Sequence, residues 1–423
     1  MKTTIAFGKE GLTLELPPGP QYKVLHARAA PPIADITTAL NVALDAPIGC
    51  APLEEIARGK KTAAISVCDI TRPAPNSTTL PPLLERLHRA GMQDKDITLC
   101  IATGLHREAT AAELVQILGS EIAHRYPIVN HDARDSAMHR YLGDTKRGTP
   151  VSIHRTFLDA ELHITLGFIE QHLMLGFSGG RKLVAPGLAA QETIKVIHSP
   201  RFMREALATE GSIEENPLHA ELLEVAGMAR HDFILDVTLT HEREISGVFA
   251  GDPVKAHAQG VDFLRRTSMV TLPERAEAVI TSAAGYPLDL TFYQTIKGIT
   301  AVQHIVKPGG KILVLSQCSE GIGSPEFAEK LREYSGPQHF LDAIRDTPVV
   351  VDQWQLEKMA LVEQKHPLLI YAPGTRPEQL GSLGDVSFAT PQEAIQSLVK
   401  SLPIGAAIAV VPDGPYAFAR AET

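Results

Sequence analysis

The sequence has 423 residues, of which 44% are hydrophobic and 21% are charged, and its formal net charge is −9. This length exceeds what one hydrophobic core usually organises, so we expect two or more domains of α/β size. The composition is ordinary for a globular protein and excludes a collagen-like repeat, a coiled coil and a disordered chain. No block of Lys and Arg stands out, which argues against a nucleic-acid partner.

The cysteines and the apolar segments predict the compartment. The four cysteines are far apart and form no CxxC pair, which is typical of a reducing environment. The N-terminus reaches Lys9 before an apolar segment of signal-peptide length can form. The longest apolar stretch, residues 404–411, is far shorter than the roughly 20 residues that span a bilayer. We therefore expect a cytoplasmic protein without a membrane partner.

The first half of the chain predicts a parallel sheet covered by helices. A hairpin is predicted at 3–7 and 12–16, followed by a helix at 36–44. Strands and helices then alternate, with strands at 62–68 and 97–103 and helices at 80–90 and 110–118, the last opened by a capping box from Thr110 to Glu113. Next come extended strands over 141–167, an irregular glycine-rich loop over 168–188 and a helix at 190–197.

A second alternating run begins near residue 276. Its strands are predicted at 278–283, 311–316, 368–372 and 408–411, and its helices at 292–307, 327–334, 355–363 and 391–401. The predicted fold is therefore α/β, with two α/β domains, largely parallel sheets and an active-site cleft between them. We place the division after residue 270, so that residues 1–270 form the N-terminal domain and residues 271–423 the C-terminal domain.

Two loops follow predicted strands, where ligands bind in open α/β sheets. In the first loop, Arg72 could hold a carboxylate or phosphate through paired hydrogen bonds, and Asp69 could orient it or accept from a hydroxyl. A proline-stiffened turn with a surface ion pair is an equal alternative. In the second loop, His106 could act as an acid or base near neutral pH, although most single histidines are structural or face solvent.

The densest cluster of candidate residues lies between residues 167 and 198. Closely spaced glycines before Arg181 and Lys182 suggest a backbone loop that approaches an anionic group. Neither the P-loop spacing nor the dinucleotide fingerprint is present in this segment. His198 ends a predicted helix just before a proline, but no HExxH motif or Cys pair supports a conventional zinc site built by the protein alone.

Together these segments resemble the nickel-pincer lactate racemase family of 2-hydroxy acid racemases and epimerases. The matching motifs occur in the family's order and spacing: Asp69-Ile-Thr-Arg72-Pro, Gly104-Leu-His106-Arg107, Gln171-His172, Ser178-Gly-Gly-Arg-Lys182, His198-Ser-Pro and Gln294-Thr-Ile-Lys297.

The resemblance implies a nickel-bearing cofactor, pyridinium-3,5-bisthiocarboxylic acid mononucleotide, joined covalently to Lys182 through a thioamide. His198 would be the nickel ligand from the protein, and two sulfurs and a carbon of the cofactor would complete a donor set suited to a late first-row metal. Cofactor-synthesis proteins would be transient partners. The cofactor would be lined by Asp69, Ile70, Thr71 and Arg72.

The resemblance also implies an isomerase that acts at C2 of a small 2-hydroxy acid, such as lactate, malate or a related acid, by hydride transfer. His106 and His172 would be alternate general bases, one for each stereoisomer. Arg72, Gln294 and Lys297 would hold the substrate carboxylate or polarise the developing carbonyl. The segment around Trp354 also resembles a cofactor-proximal one, although a buried structural tryptophan is slightly commoner.

Two alternatives stay open at this point. An NAD-dependent 2-hydroxy acid dehydrogenase would also account for hydride chemistry and paired α/β domains, but the missing dinucleotide fingerprint argues against it. A non-catalytic carrier of nickel or cofactor would need Lys182 and His198 but not a pair of bases. His106 and His172 therefore discriminate between an enzyme and a carrier.

Overall fold

The computed structural model describes residues 1–422, and they divide into two compact units that are each discontinuous in sequence. We call Ala29–Ile197 with Leu207–Thr267 the N-terminal unit. The C-terminal unit consists of Met1–Arg28, His198–Ala206 and the segment from Ser268 onward.

The described residues form strands and α-helices in the following order. The strands are β1 (Lys2–Ile5), β2 (Leu12–Glu15), β3 (Gln21–Val24), β4 (Ala63–Cys68), β5 (Ile97–Ala102), β6 (Ile128–Asn130), β7 (His139–Asp144), β8 (Pro150–His154), β9 (Leu162–Phe168), β10 (Gln171–His172), β11 (Gly176–Phe177), β12 (Phe233–Leu239), β13 (Ile245–Gly251), β14 (Met269–Leu272), β15 (Ala276–Ser282), β16 (Val306–Leu315), β17 (Leu368–Tyr371), β18 (Ala407–Val411) and β19 (Phe418–Ala421). The helices are α1 (Ile36–Asp45), α2 (Leu53–Ala57), α3 (Asn76–Arg89), α4 (Ala111–Leu118), α5 (Ser120–Arg125), α6 (Arg155–Asp159), α7 (Gln191–Ile197), α8 (Pro200–Met203), α9 (Pro217–Met228), α10 (Lys255–Ser268), α11 (Phe292–Ala301), α12 (Pro325–Arg332), α13 (Pro337–Ala343), α14 (Gln353–Glu363) and α15 (Pro391–Lys400).

The N-terminal unit is built on a six-stranded sheet with the order β13-β12-β9-β4-β5-β6. Every pairing is parallel except that of β12 with β13. Strands β4 and β9 are buried at every residue, which is typical of parallel strands in a sheet that is covered on both faces. Ile65 and Leu99 of the sheet share a core with Leu83 of α3. This sheet brings the carboxyl ends of β4 and β5 together.

The C-terminal unit contains a five-stranded parallel sheet with the order β17-β16-β15-β18-β3. Alternate residues of its strands face opposite sides. Ile312 and Val314 belong to one core, which includes helices α11 and α14, whereas Leu313 and Leu315 belong to a second core with the β1–β2 hairpin and α15. The unit is therefore a layered α/β structure with a buried sheet.

The structure confirms the α/β class and the largely parallel sheets. It also confirms the capping box, in which Thr110 accepts from Glu113 and the Glu113 side chain accepts in return. The helix predicted at 292–307 is wrong at its end. It stops at Ala301 because the chain turns and enters β16 at Val306, which pairs with Ala276. The extended stretch predicted at 141–167 is interrupted by α6.

Each compact unit is made of two or three separate segments of the chain, whereas the sequence predicted a single division after residue 270. The last junction, at Ser268, lies close to that position. Residues 1–28 group with the C-terminal unit because β3 pairs with β18. Residues 198–206 also belong to that unit. The domain assignment and the cleft between the domains stay predictions. In the described part of the chain, no helix combines the length and apolar character that crossing a bilayer requires.

Candidate active site

The candidate site of the N-terminal unit begins where two neighbouring strands end. Strands β4 and β5 are parallel, and Cys68 at the end of β4 pairs with Ala102 at the end of β5. The loops that start at Asp69 and Thr103 therefore leave the same edge of the sheet. This is the edge at which open α/β sheets bind ligands.

Asp69 and His106 form a hydrogen-bonded pair across these two loops. The Nδ1 atom of His106 lies 2.7 Å from Oδ2 of Asp69, whose side chain is only 5% exposed, while the imidazole is 46% exposed. A carboxylate accepts at this distance, so Nδ1 carries the proton and a neutral imidazole keeps its lone pair on Nε2. The pair therefore presents a proton-accepting nitrogen at the strand ends.

Thr71 and Arg72 extend this pair into a small network. The hydroxyl of Thr71 donates to Oδ1 of Asp69 at 2.7 Å, and Nη1 of Arg72 donates to the Thr71 hydroxyl at 3.2 Å. Burial by itself would raise the pKa of Asp69, but the hydrogen bond from His106, with help from Arg72 and Thr71, lowers it below its ordinary value. Asp69 is therefore an anion that orients the imidazole, and it also accepts from a hydroxyl, as the sequence suggested.

Lys182 lies in a short 3-10 helix, Gly180–Leu183, that packs on β4. The hydroxyl of Ser66 on β4 donates to the carbonyl of Leu183 at 2.8 Å. The Cys68 thiol, whose pKa is raised to about 12 by burial, is in electrostatic range of Arg72, Asp69 and Lys182. Lys182 is therefore close to the strand end that carries Asp69.

The glycines before Lys182 make room for a buried carboxylate of the protein itself. Gly179 has φ +85°, and a Cβ there would lie 2.6 Å from Oδ2 of Asp236 on β12. The guanidinium of Arg181 is buried and donates to the carbonyls of Leu175 and Phe177 at 3.2 and 3.0 Å. The loop thus packs against a carboxyl group of the protein itself, and the Arg181 guanidinium is engaged by carbonyls of the same loop and by His257.

Asp236 is a residue that the sequence reasoning missed. Its carboxylate is fully buried, and burial raises its pKa to about 7 despite weak contacts with the backbone of Gly180 and Gly167 and the charge of Arg181. The signal in the sequence was a lone acidic residue inside the apolar strand Phe233–Leu239.

His172 has different surroundings from His106. It ends β10, a two-residue strand that pairs antiparallel with β11. Its Nδ1 atom accepts from the backbone N–H of Leu175 at 3.4 Å. The opposition of the two imidazoles across a substrate stays a prediction.

The C-terminal unit holds the other candidate residues. His198 precedes α8 and is buried, and its ring centroid lies 4.6 Å from that of Trp354 on α14. Gln294 and Lys297 are one turn apart on α11, so they lie on the same face of the helix. Within residues 1–422, the buried Oε1 atom of Gln294 has no hydrogen-bond partner, so it can accept a hydrogen bond from a ligand.

The donor set around His198 bears on the metal question. Across residues 1–422, no group of three or more His, Cys, Asp or Glu side chains is arranged to hold a metal ion. A single imidazole does not make a metal site on its own. His198 therefore fits a metal only if other donors come from outside the described side chains, as from a cofactor.

The fold and the strand-end loops define a two-unit α/β protein with an oriented histidine at its sheet edge. The family models described as the lactate racemase N-terminal and C-terminal domains match residues 7–211 and 272–417. The chain therefore belongs to the lactate racemase family, and the resemblance seen in its motifs is confirmed.

Two curated relatives and one solved structure support this assignment, and a second solved structure shares the fold. The chain is 35% identical over 374 residues to a lactate racemase of Lactiplantibacillus plantarum, covering 88% of each chain. It is 32% identical over 426 residues to one of Thermoanaerobacterium thermosaccharolyticum, covering 98% of each. The lactate racemase apoprotein structure from the latter organism matches with a TM-score of 0.92 at 30% identity, over 99% of this chain and 100% of that one. A Thermotoga maritima protein, at 17% identity and a TM-score of 0.65 over 88% of this chain and 96% of that one, shares the fold alone.

Proposed function

We propose that this protein is a racemase that interconverts the two stereoisomers of lactate in the cytoplasm. The observation that carries the proposal is the 2.7 Å hydrogen bond between Asp69 and His106 in a member of this family. A general base must present an unprotonated nitrogen to the proton that it removes. Asp69 favours an unprotonated Nε2 on His106, because its carboxylate accepts a hydrogen bond from Nδ1–H and so keeps the single imidazole proton on Nδ1.

In this proposal His106 removes the hydroxyl proton of one stereoisomer at Nε2, and His172 does so for the other. Arg72, Gln294 and Lys297 bind the substrate carboxylate or polarise the oxygen at C2. The Oε1 atom of Gln294 is buried without a partner among residues 1–422, so it could accept from the substrate hydroxyl, whereas a bond to the carboxylate would come from the amide Nε2. Asp69 stays ionised and stabilises the imidazolium that forms on His106.

The cofactor would be the nickel-bearing pyridinium mononucleotide, held covalently by Lys182, lined by residues 69–72 and ligated at nickel by His198. When bound, it supplies the acceptor for the hydride at C2. His198 would be a single protein ligand, since no group of three or more His, Cys, Asp or Glu side chains among residues 1–422 is arranged to hold a metal ion. A cofactor that brings its own sulfur and carbon donors needs only one imidazole.

The test uses protein produced together with the cofactor-synthesis proteins. We expect an intact-mass adduct on the peptide that contains Lys182, one nickel per chain, and formation of D-lactate from L-lactate. His106→Ala and His172→Ala should lose about 10²- to 10⁴-fold in rate while nickel is retained. His339→Ala, whose imidazole contacts Ser335 on the surface, is the matched control and should keep full activity.

The outcomes separate the alternatives. Loaded wild-type protein that leaves lactate unchanged contradicts the proposal, and malate and other 2-hydroxy acids in the same assay then identify the acid. Pyruvate formation that depends on added NAD would favour a dehydrogenase. Bound nickel without turnover of any acid would favour a carrier.

A further inference from the structure

We propose that helix α14 positions His198 through a buried ion pair, and that Arg204 and Glu357 are positioning residues for this histidine. We call residues 198–206 the His198 segment. The inference deepens the proposed function and rests on the role of His198 as nickel ligand.

The His198 segment is held by one face of α14. Trp354, Glu357 and Lys358 are spaced at i, i+3 and i+4, so they share that face. Trp354 contacts the ring of His198 at 4.6 Å between centroids. The two other side chains contact the far end of the segment.

The contacts at the far end join a partly exposed arginine, 25% exposed, to a fully buried glutamate, and a buried lysine to a carbonyl. Nε of Arg204 donates to Oε1 of Glu357 at 2.7 Å, and Nζ of Lys358 donates to the carbonyl of Met203 at 2.7 Å. Glu357 is 0% exposed and Lys358 is 7% exposed. Arg204 also donates to the carbonyl of Leu341 at 2.5 Å. The segment is therefore fixed at both ends, by a ring contact at His198 and by hydrogen bonds at residues 203 and 204.

Stability alone does not explain such a network. A buried ion pair is often no more stabilising than apolar residues of the same volume, because desolvation offsets the attraction. Its advantage is geometric, since a guanidinium and a carboxylate pair in one defined orientation. Helix α8 has only four residues, too few to hold a helical conformation by itself. Its position therefore depends on the elements that contact it, chiefly α14, with one hydrogen bond to Leu341 of α13.

The same helix also contacts the element that carries the proposed substrate-binding residues. Nε2 of Gln355 donates to the carbonyl of Tyr293 on α11 at 3.1 Å. Tyr293 directly precedes Gln294. Helix α14 is thus a common support for the His198 segment and for α11.

The chain contains a built-in reporter of this arrangement. Trp354 is its only tryptophan, and it is buried against His198. Its emission in the apoprotein therefore reports directly on the docking of the segment. Nickel retained by the loaded protein after dialysis reports on the ligand, since groups that orient a metal ligand typically change metal affinity about 10- to 100-fold.

The experiment compares Glu357→Gln, Arg204→Gln, their double variant and Arg204→Lys with wild type. Asp342→Asn, which removes a surface ion pair with Arg345 in the same unit, is the matched control. In Glu357→Gln and Arg204→Gln we expect Trp354 emission at longer wavelength and about tenfold less nickel per folded chain. The double variant should be no worse than either single one, and Arg204→Lys should recover most of the nickel. The control should match wild type in both measurements.

Two results are decisive against the inference. Wild-type emission in both single variants would show that the segment docks without the ion pair. Red-shifted emission with undiminished nickel per folded chain would show that the ion pair is structural only. Wild-type protein that never retains nickel contradicts the proposed function instead, and the fluorescence of the apoprotein still decides whether α14 holds the segment.

Discussion

Two buried aspartates of the N-terminal unit, one just after β4 and one on β12, have pKa values that are shifted in opposite directions. Asp69, at the end of β4, accepts hydrogen bonds from His106 and Thr71, and its pKa is lowered. Asp236, on β12, lies against the backbone of Gly179 without a well-formed hydrogen bond from residues 1–422, and burial raises its pKa to about 7. Burial is similar in both cases. Their partners decide the charge.

This difference separates two uses of the same residue type. Asp69 is an anion that orients an imidazole at the strand ends. Asp236 occupies the space that glycine leaves beneath the loop carrying Lys182, and its raised pKa of about 7 keeps a large share of it protonated near neutral pH. Replacing Asp69 should therefore affect catalysis more than stability, whereas changes around Asp236 should affect stability and its dependence on pH.

The largest effect is expected for Asp69→Asn. The amide can donate to Nδ1 of His106, which moves the imidazole proton to Nε2 and removes the accepting nitrogen. In a protease triad the equivalent change lowers kcat about 10⁴-fold. We expect a loss of about 10³-fold in the kcat for lactate racemisation, with retained nickel. Asp159→Asn, which loses an exposed ion pair with Arg140, is the control and should keep the wild-type rate. A wild-type rate in Asp69→Asn would contradict the proposal that Asp69 orients His106 as a base.

The next effect is expected for Gly179→Ala. The new Cβ would lie 2.6 Å from Oδ2 of Asp236 in a backbone with φ +85°. We expect a loss of about 3 kcal/mol in the free energy of unfolding by urea, from overpacking and backbone strain together. Gly148→Ala is the matched control, because Gly148 has φ +76° and no atom lies within 4 Å of the position that its Cβ would take; it should lose only about 1 kcal/mol. Asp236→Ala added to Gly179→Ala should recover part of the difference.

The dependence of stability on pH should distinguish the two aspartates directly. The folded pKa of Asp236, about 7, is above the unfolded value of about 3.9. Between these values the native state holds a proton that the unfolded state has lost. Its contribution to the free energy of unfolding therefore falls as pH rises, by up to ~1.4 kcal/mol per pH unit.

Urea unfolding at pH 5, 6 and 7 checks this sign. The free energy of unfolding of wild type minus that of Asp236→Asn should become steadily more negative as pH rises, because residue 236 of the variant does not titrate. Asp69 has the opposite sign, because its lowered pKa gives stability that is present above its unfolded value and lost in acid. A constant difference between wild type and Asp236→Asn from pH 5 to 7 would contradict the raised pKa.

The smallest effect is expected for Thr71→Val. The variant removes the hydroxyl that donates to Oδ1 of Asp69 at 2.7 Å, but the bond between Asp69 and His106 remains. We expect about a fivefold loss in kcat, equivalent to about 1 kcal/mol for one hydrogen bond. Thr71→Ser keeps the donor and should restore the rate. A loss in Thr71→Val as large as that in Asp69→Asn would indicate that the carboxylate needs both donors.

The sequence could predict those features that depend on neighbouring residues. The buried strand β4, the loop that follows it and the capping box of α4 are all encoded within a few positions. The partner of Asp69 could not be predicted this way, because His106 is 37 residues away and only the parallel pairing of β4 with β5 brings the two together. The sequence suggested only partners for Asp69 within reach along the chain, namely Arg72 three residues away or a hydroxyl.

The contacts of Asp236 and of Glu357 could not be predicted, because their neighbours are far away in the sequence. Asp236 was visible as one acid in an apolar strand, but nothing in the sequence linked it to Gly179. Glu357 and Arg204 are 153 residues apart. Both cases depend on residues that are distant in sequence, Gly179 leaving room for Asp236 and Arg204 pairing with Glu357, and a linear pattern does not report such contacts.

The pairing of β3 with β18 has a consequence for biosynthesis. Val24 lies opposite Val410, so the edge strand β3 is synthesised early but cannot pair until β18, near the end of the chain, has been made. At about 5–20 residues per second, a ribosome needs roughly 20–80 s to make the chain between them. The β1–β2 hairpin and β3 lack the rest of their sheet during that time. We therefore expect a chaperone that binds unpaired strands to bind this N-terminal segment first.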